Sequence, residues 1–199
     1  MPALTIRMGR AGDARAEGRL VERARRGDRA AFDSLVRLHF QEVYGLVHRL
    51  VGNHEDAEDL TQDCFVKAHA SLRFFRREGS FAAWLARIAV HLARDHQRGR
   101  ARRGPSVPLD LAPGEPAAQE PGPGAELTRR ELTRVVGEAV SALPPNLRAA
   151  LVLRVLEGRD YDEVAAATGM RPGTVRTQVM RARKRLMRAL RPWLGREAR

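Results

Sequence analysis

The chain of 199 residues holds a single cysteine, Cys64, which excludes an internal disulfide and any multi-cysteine zinc site and fits a reducing compartment. Long hydrophobic runs are also missing. No apolar stretch reaches membrane-spanning length, and residues 1–19, MPALTIRMGRAGDARAEGR, lack the apolar segment of a signal peptide. A cytoplasmic location without stable membrane insertion is therefore expected. Catalytic signatures are absent as well. His39, His48, His54, His69, His91 and His96 form no H-x-x-x-H pair, no Gly-rich phosphate loop occurs, and no Ser or Cys lies in a nucleophile motif. Neither an enzyme nor a metal or cofactor site is expected. Lysine is scarce too: of 36 basic residues only Lys67 and Lys184 are lysines. Arginine's planar fork suits phosphate and guanine, although a GC-rich genome produces the same bias. Strand-like alternation of useful length and internal repeats are both lacking, leaving an all-α expectation.

What is present is positive charge. The formal net charge of +12 favours a polyanionic partner, either nucleic acid or an anionic membrane surface, and 43% hydrophobic content suffices for packed cores. Residues 104–125, GPSVPLDLAPGEPAAQEPGPGA, hold six of the eleven prolines and read as a flexible Pro/Gly-rich linker. It divides two small helical domains, 19–103 and 126–199, while residues 1–18 read as a loose N-terminal extension, with Met8 a second candidate start.

The most informative stretch runs from Asp160 to Leu190, DYDEVAAATGMRPGTVRTQVMRARKRLMRAL. Asp160 with Glu163 is an acidic capping box, which predicts a helix starting at Tyr161. Val164, Ala165 and Thr168 share one face, and Gly169 supplies the left-handed residue that ends the helix. Pro172 suits the first turn of a second helix. There Val175, Val179, Ala182, Leu186 and Leu190 form an apolar stripe, and arginines fill the rest of the circumference. This is the pattern of a helix-turn-helix, whose second helix enters the major groove N-terminus first. Arg176, Thr177, Gln178, Met180 and Arg181 are then placed to meet base edges, and Arg183, Lys184, Arg185 and Arg188 to meet phosphates. A solvated basic helix on an ordinary bundle is the alternative; the capped helix and Gly turn ahead of it argue against that.

In the N-terminal block, Asp28 and Asn53 are candidate N-caps. The helix after Asn53 buries Ala57, Leu60, Cys64, Phe65, Ala68 and Leu72, and its other side carries Glu55, Asp56, Glu58, Asp59, Gln62 and Asp63. The first three carboxylates suit the helix dipole. Asp59 and Asp63 lie one turn apart and repel each other, so they fit either a protein partner or a plain solvated face. Beyond them, Phe74, Phe75, Phe81 and Trp84 flank a loop with Arg76, Arg77 and an N-cap at Ser80, while Arg87, His91, Arg94 and Arg98 step along one helix face. Basic groups among aromatics hold phosphates and stack unpaired bases. Phe81 and Trp84 read as core, and Phe74 and Phe75 as the better base-contacting pair.

Taken in order, these pieces resemble the extracytoplasmic-function (ECF) group of bacterial RNA polymerase sigma factors, in the sigma-70 family, from Leu20 to Leu190. DAEDLTQDCFVKAH, residues 56–69, resembles the family's core-polymerase-binding helix. GSFAAWLARIAVHLARDHQRGRARR resembles its promoter-melting, minus-ten segment, and LPPNLRAALVLRVLEGRDYDEVAAATGMRPGTVRTQVMRARKRL its minus-thirty-five domain. The resemblance implies that Asp56, Asp59, Gln62 and Asp63 dock on the clamp helices of the polymerase β′ subunit, with the β subunit a further partner. It assigns Phe74, Phe75, Arg76, Arg77, Ser80, Trp84, Arg87, His91, Arg94 and Arg98 to minus-ten DNA. Thr174, Arg176, Thr177, Gln178, Met180, Arg181, Arg183 and Lys184 would meet the minus-thirty-five element. A linker in the RNA-exit path and a restraining anti-sigma factor are likewise implied. Arg171 departs from the Ser or Thr cap of many relatives, which loosens the start of the reading helix. A stand-alone helix-turn-helix regulator is the rival; it leaves the acidic helix and aromatic loop without a purpose.

Overall fold

The structure, a computed structural model, describes residues 11–75, 79–103 and 123–194. Among these there are helices and no strands: α1 (Ala11–Arg25), α2 (Arg29–Val51), α3 (His54–Ser71), α4 (Phe81–Arg103), α5 (Pro123–Ser141), α6 (Pro145–Leu151), α7 (Tyr161–Thr168) and α8 (Pro172–Leu194). No described helix is long and apolar enough to cross a membrane.

Local chemistry sets most of these boundaries. The Asp28 carboxylate accepts from the Ala31 amide at 3.0 Å, and Asn53 accepts from the Asp56 amide at 2.6 Å, each satisfying an orphan N-terminal donor. Gly52 closes α2 at a φ of 86°, a conformation that penalises any residue with a Cβ. The chain is already helical from Ala11, inside the stretch expected to be loose. Burial of Val21 and Ala24, together with the approach of Glu17 to His39 at 3.7 Å, holds α1 by packing rather than by a cap. Helix α5 starts at Pro123, two residues before the expected end of the linker, whose residues 104–122 lie outside the described ones.

Two helical groups result. In the first, α2, α3 and α4 bury the expected apolar stripes, with Leu35, Val47, Leu85 and Val90 fully enclosed. In the second, α6 runs into a π-helical turn, Val152–Leu156, and α7 and α8 close over it with Val164, Val175, Val179 and Ala182. The groups are not separate. Their buried side chains form one continuous cluster, and α4 packs on both α6 and α7 while α2 meets α5 and α6. Arg148, 8% exposed, donates to the Leu50 carbonyl at 2.6 Å and to the carbonyls of Leu143 and Ser141. Burial pushes its pKa down to about 10, so it is still a cation at neutral pH. Arg49 pairs with Glu157, and Arg94 donates to the Thr168 carbonyl at 2.6 Å.

Candidate nucleic-acid interface

The helix-turn-helix forms as its sequence predicts. Asp160 Oδ1 accepts from the Asp162 and Glu163 amides at 2.9 and 2.7 Å, and Glu163 Oε2 accepts in return from the Asp160 amide at 2.9 Å. Gly169 turns the chain at a φ of 70°, and α8 begins at Pro172, where the Arg171 carbonyl takes the Val175 amide at 3.0 Å. With Val175, Val179 and Ala182 buried, Thr174, Arg176, Met180, Arg181, Arg183 and Lys184 are left in solvent. Thr177 and Gln178 are half-buried, and the Thr177 hydroxyl donates to the Gly173 carbonyl at 3.1 Å within its own helix. Gln178, Arg181, Lys184, Arg185 and Arg188 line a groove of about 450 Å³ against Leu147. Four cations around one concavity make a site for a polyanion. Arg176 also has a neighbour that sequence reading missed: its guanidinium lies 5.2 Å from the Tyr161 ring centroid, and Arg154 lies 4.9 Å from it. An aromatic eight residues before the turn glycine carries no signal by spacing alone; only the fold brings it under an arginine.

On α4, Arg87, His91 and Arg98 share an exposed face, with Ser80 accepting from the Ala83 amide at 3.1 Å as the expected N-cap. Arg94 differs. It is half-buried, and burial, followed by the nearby Arg98 charge, lowers its pKa as it donates to Thr168 of α7. The aromatic pair also splits. Phe74 is 67% exposed with the Arg73 guanidinium 4.6 Å from its ring centroid, whereas Phe75 is buried at 6% and packs against Phe81 and Trp84 at 5.6 and 5.2 Å. This corrects the expectation that both rings face outward. The cause is a single 3₁₀ turn over Leu72–Phe74, in which residues three apart eclipse, so Phe75 follows the buried Leu72 inward. Trp84 is half-buried; Arg76 and Arg77 lie outside the described residues.

On α3, Asp59, Gln62 and Asp63 are exposed on one face, and among the described residues no cation pairs with either aspartate. Val66, one turn further and 67% exposed, extends the face with an apolar group. Its position off the buried stripe could have marked it in the sequence. Asp56 behaves otherwise. It is bonded by Asn53 and by Arg100 at 2.7 Å, with His96 at 3.1 Å, so its carboxylate ties the start of α3 to α4 instead of facing outward with Asp59. Burial opposes its charge, but Asn53, His96 and Arg100 outweigh that and hold its pKa below the ordinary carboxylate value. Cys64 is fully buried and donates to the Leu85 carbonyl at 3.7 Å; burial pushes its thiol up to about 12, which removes it as a nucleophile.

Comparisons with known proteins find relatives for both helical groups. Sigma-70 region 2 matches residues 35–103, and Sigma-70, region 4 matches residues 133–186. The chain is 37% identical over 181 residues to the RNA polymerase sigma-H factor of Pseudomonas aeruginosa, covering 88% of this chain and 94% of that protein. It is 36% identical over 183 residues to the ECF RNA polymerase sigma-E factor of Escherichia coli strain K12, covering 89% and 95%. Among solved structures, the sigma factor RpoE in complex with the anti-sigma factor NepR from Bartonella quintana matches with a TM-score of 0.65 and 25% identity, over 80% of this chain and 96% of that one. CnrH in complex with the cytosolic domain of CnrY matches with a TM-score of 0.64 and 26% identity, over 89% and 98%. With both sigma-70 regions present in order and relatives matched over nearly their full length, the chain belongs to the ECF group of RNA polymerase sigma factors, initiation proteins that direct RNA polymerase to promoters.

Proposed function

We propose that this sigma factor divides its work among three surfaces, acting in the cytoplasm where polymerase transcribes. Asp59, Gln62 and Asp63, with Val66 beside them, dock on the β′ clamp helices of core polymerase. Asp56 supports that helix from within. Phe74 stacks on a base extruded from the minus-ten strand, with Arg87, His91 and Arg98 on the backbone. Flipping a base costs a few kcal/mol, so a ring already held out by Arg73 lowers the barrier to opening. Arg176, Gln178 and Arg181 read the minus-thirty-five duplex, and each good bidentate contact contributes about 1–3 kcal/mol of discrimination. Arg183, Lys184, Arg185 and Arg188 meet phosphates.

The observation that carries this reading is the unpaired Asp59 and Asp63 face on a protein of net charge +12. Like charges left exposed one turn apart are a standing cost, and they are of no use to DNA. Replacing both with Arg should abolish co-purification with core polymerase at unchanged helicity; undiminished co-purification would refute the docking role. Gln178→Ala or Arg181→Ala should shift the preferred upstream sequence in transcription from a randomised promoter library. Arg188→Ala should instead weaken binding evenly and reduce its salt slope by about one. We also propose an anti-sigma protein as a restraining partner, supported by the similarity to RpoE and CnrH, each solved in complex with a partner protein.

A further inference from the structure

We propose that Asp56 is a positioning residue for promoter DNA: from α3 its carboxylate clamps the C-terminal third of α4 and thereby fixes where Arg98 meets the DNA backbone. This rests on the roles proposed above for Asp59, Asp63 and Arg98. The apolar packing of α4 ends early. Its buried residues run from Phe81 to Ala93, and no described side chain beyond Ala93 is buried. Residues 94–103, RDHQRGRARR, nonetheless continue the helix for about 15 Å at 1.5 Å per residue, with five arginines against one aspartate. Like charges set this close oppose the helix, so its end needs polar anchors.

Those anchors come from the corner between α2 and α3. Gln97 donates to the Leu50 carbonyl, Arg100 donates to Asp56 Oδ2 at 2.7 Å, and His96 Nε2 lies 3.1 Å from the same oxygen. His96 and Arg100 are one turn apart and share a face of α4. Arg98 is two residues from each, about 200° round the helix, so holding that face against Asp56 sends Arg98 outward. Its side chain is 61% exposed, beside Asp95 of its own helix at 2.6 Å. The Asn53 side-chain amide bonds Asp56 at the same time, which fixes the carboxylate to the start of α3. Asp59 and Asp63 lie further along that helix. Docked polymerase and the DNA-facing cation are thus held by one rigid element.

The test uses the full chain assembled with core polymerase. Asp56→Ala keeps the Asn53 cap, because that cap accepts from the backbone amide of residue 56. Affinity for core is read by titration, and promoter contact by binding and hydroxyl-radical protection on a duplex with a pre-opened minus-ten bubble. Asp56→Ala should leave core affinity unchanged and weaken promoter binding roughly tenfold, a size expected of coupled side chains. The salt slope should fall by about one. Backbone protection should fade at one end of the footprint, the same end that Arg98→Ala loses, and persist across the bubble. Arg100→Ala, which breaks the clamp from α4 and leaves α3 untouched, should give the same footprint. In an Arg98→Ala background, Asp56→Ala should weaken binding no further. Weaker core binding by Asp56→Ala would overturn the proposal by making Asp56 a docking residue. An even loss of protection, or full additivity with Arg98→Ala, would overturn it by leaving the clamp a role in fold stability alone. If Arg98→Ala by itself changes neither binding nor protection, the backbone role of Arg98 is what fails, and core affinity of Asp56→Ala still separates clamping from docking.

Discussion

His39 is 5% exposed on α2, with Glu17 at 3.7 Å, Glu42 at 3.5 Å and the Phe81 ring 5.5 Å away. Burial disfavours its charge, but the two carboxylates prevail and raise its pKa to about 9. Glu42 answers in the opposite sense: the bond to His39 lowers its pKa, burial opposes, and Arg159 from the other helical group adds to the lowering. Because the folded pKa of His39 exceeds the ordinary 6.5, its contribution is fully present below pH 6.5 and is lost as pH rises through about 9. At 1.36 kcal/mol per pKa unit the contribution is at most about 3 kcal/mol. Thermal unfolding at pH 6.5, 8 and 9.5 should show wild type losing stability across that window. His39→Gln should start lower and flatten the slope, and a wild-type curve flat between pH 6.5 and 9.5 would contradict the pairing. None of this was legible in the sequence, because Glu17 lies on a helix that has no cap signal and touches His39 only through the fold.

At the scale of elements, legibility follows locality. The caps at Asp28, Asn53, Ser80 and Asp160 and the turn at Gly169 act within a few residues, and each was readable beforehand. The split of Phe74 from Phe75 was not, since it depends on one 3₁₀ turn that hydrophobic periodicity does not register. Nor was Asp56, whose partners His96 and Arg100 lie on another helix. Helix α7 makes the cap measurable. It spans 8 residues, too few to be stable alone, and both reciprocal bonds of its capping box are formed. Asp160→Ala should cost about 1 kcal/mol in denaturant unfolding, with Asp160→Ser retaining most of it. The same substitution loosens Tyr161, the first residue of α7, and through its ring Arg176. Discrimination at the base read by Arg176 should weaken in Tyr161→Ala and survive in Tyr161→Phe, since the cation is held by the ring face, a contact worth about 0.5–1 kcal/mol at an exposed site. Equal loss at every upstream base in Tyr161→Ala would mean that the ring serves the fold alone.

For the whole molecule, two helical groups were expected and two are present, but their union into one core was hidden. Arg148 and Leu50, or Arg94 and Thr168, are far apart in sequence, and each pairs a side chain with a backbone carbonyl. Every residue presents such a carbonyl, so composition and spacing hold no trace of the match. The consequence is cooperative unfolding. Arg148 fills the carbonyls of Leu143 and Ser141 in its own group and Leu50 in the other, so neither group can melt without stranding acceptors in its neighbour. Calorimetry of the wild type should show one transition with a calorimetric to van't Hoff enthalpy ratio near 1. Arg49→Glu, which sets two carboxylates against each other where the groups meet, should weaken the coupling and resolve two transitions, each with its own van't Hoff enthalpy. Salt should not mimic that effect, because the enclosed Glu157 carboxylate is poorly screened. Two transitions already in the wild type would mean that the shared core transmits no coupling.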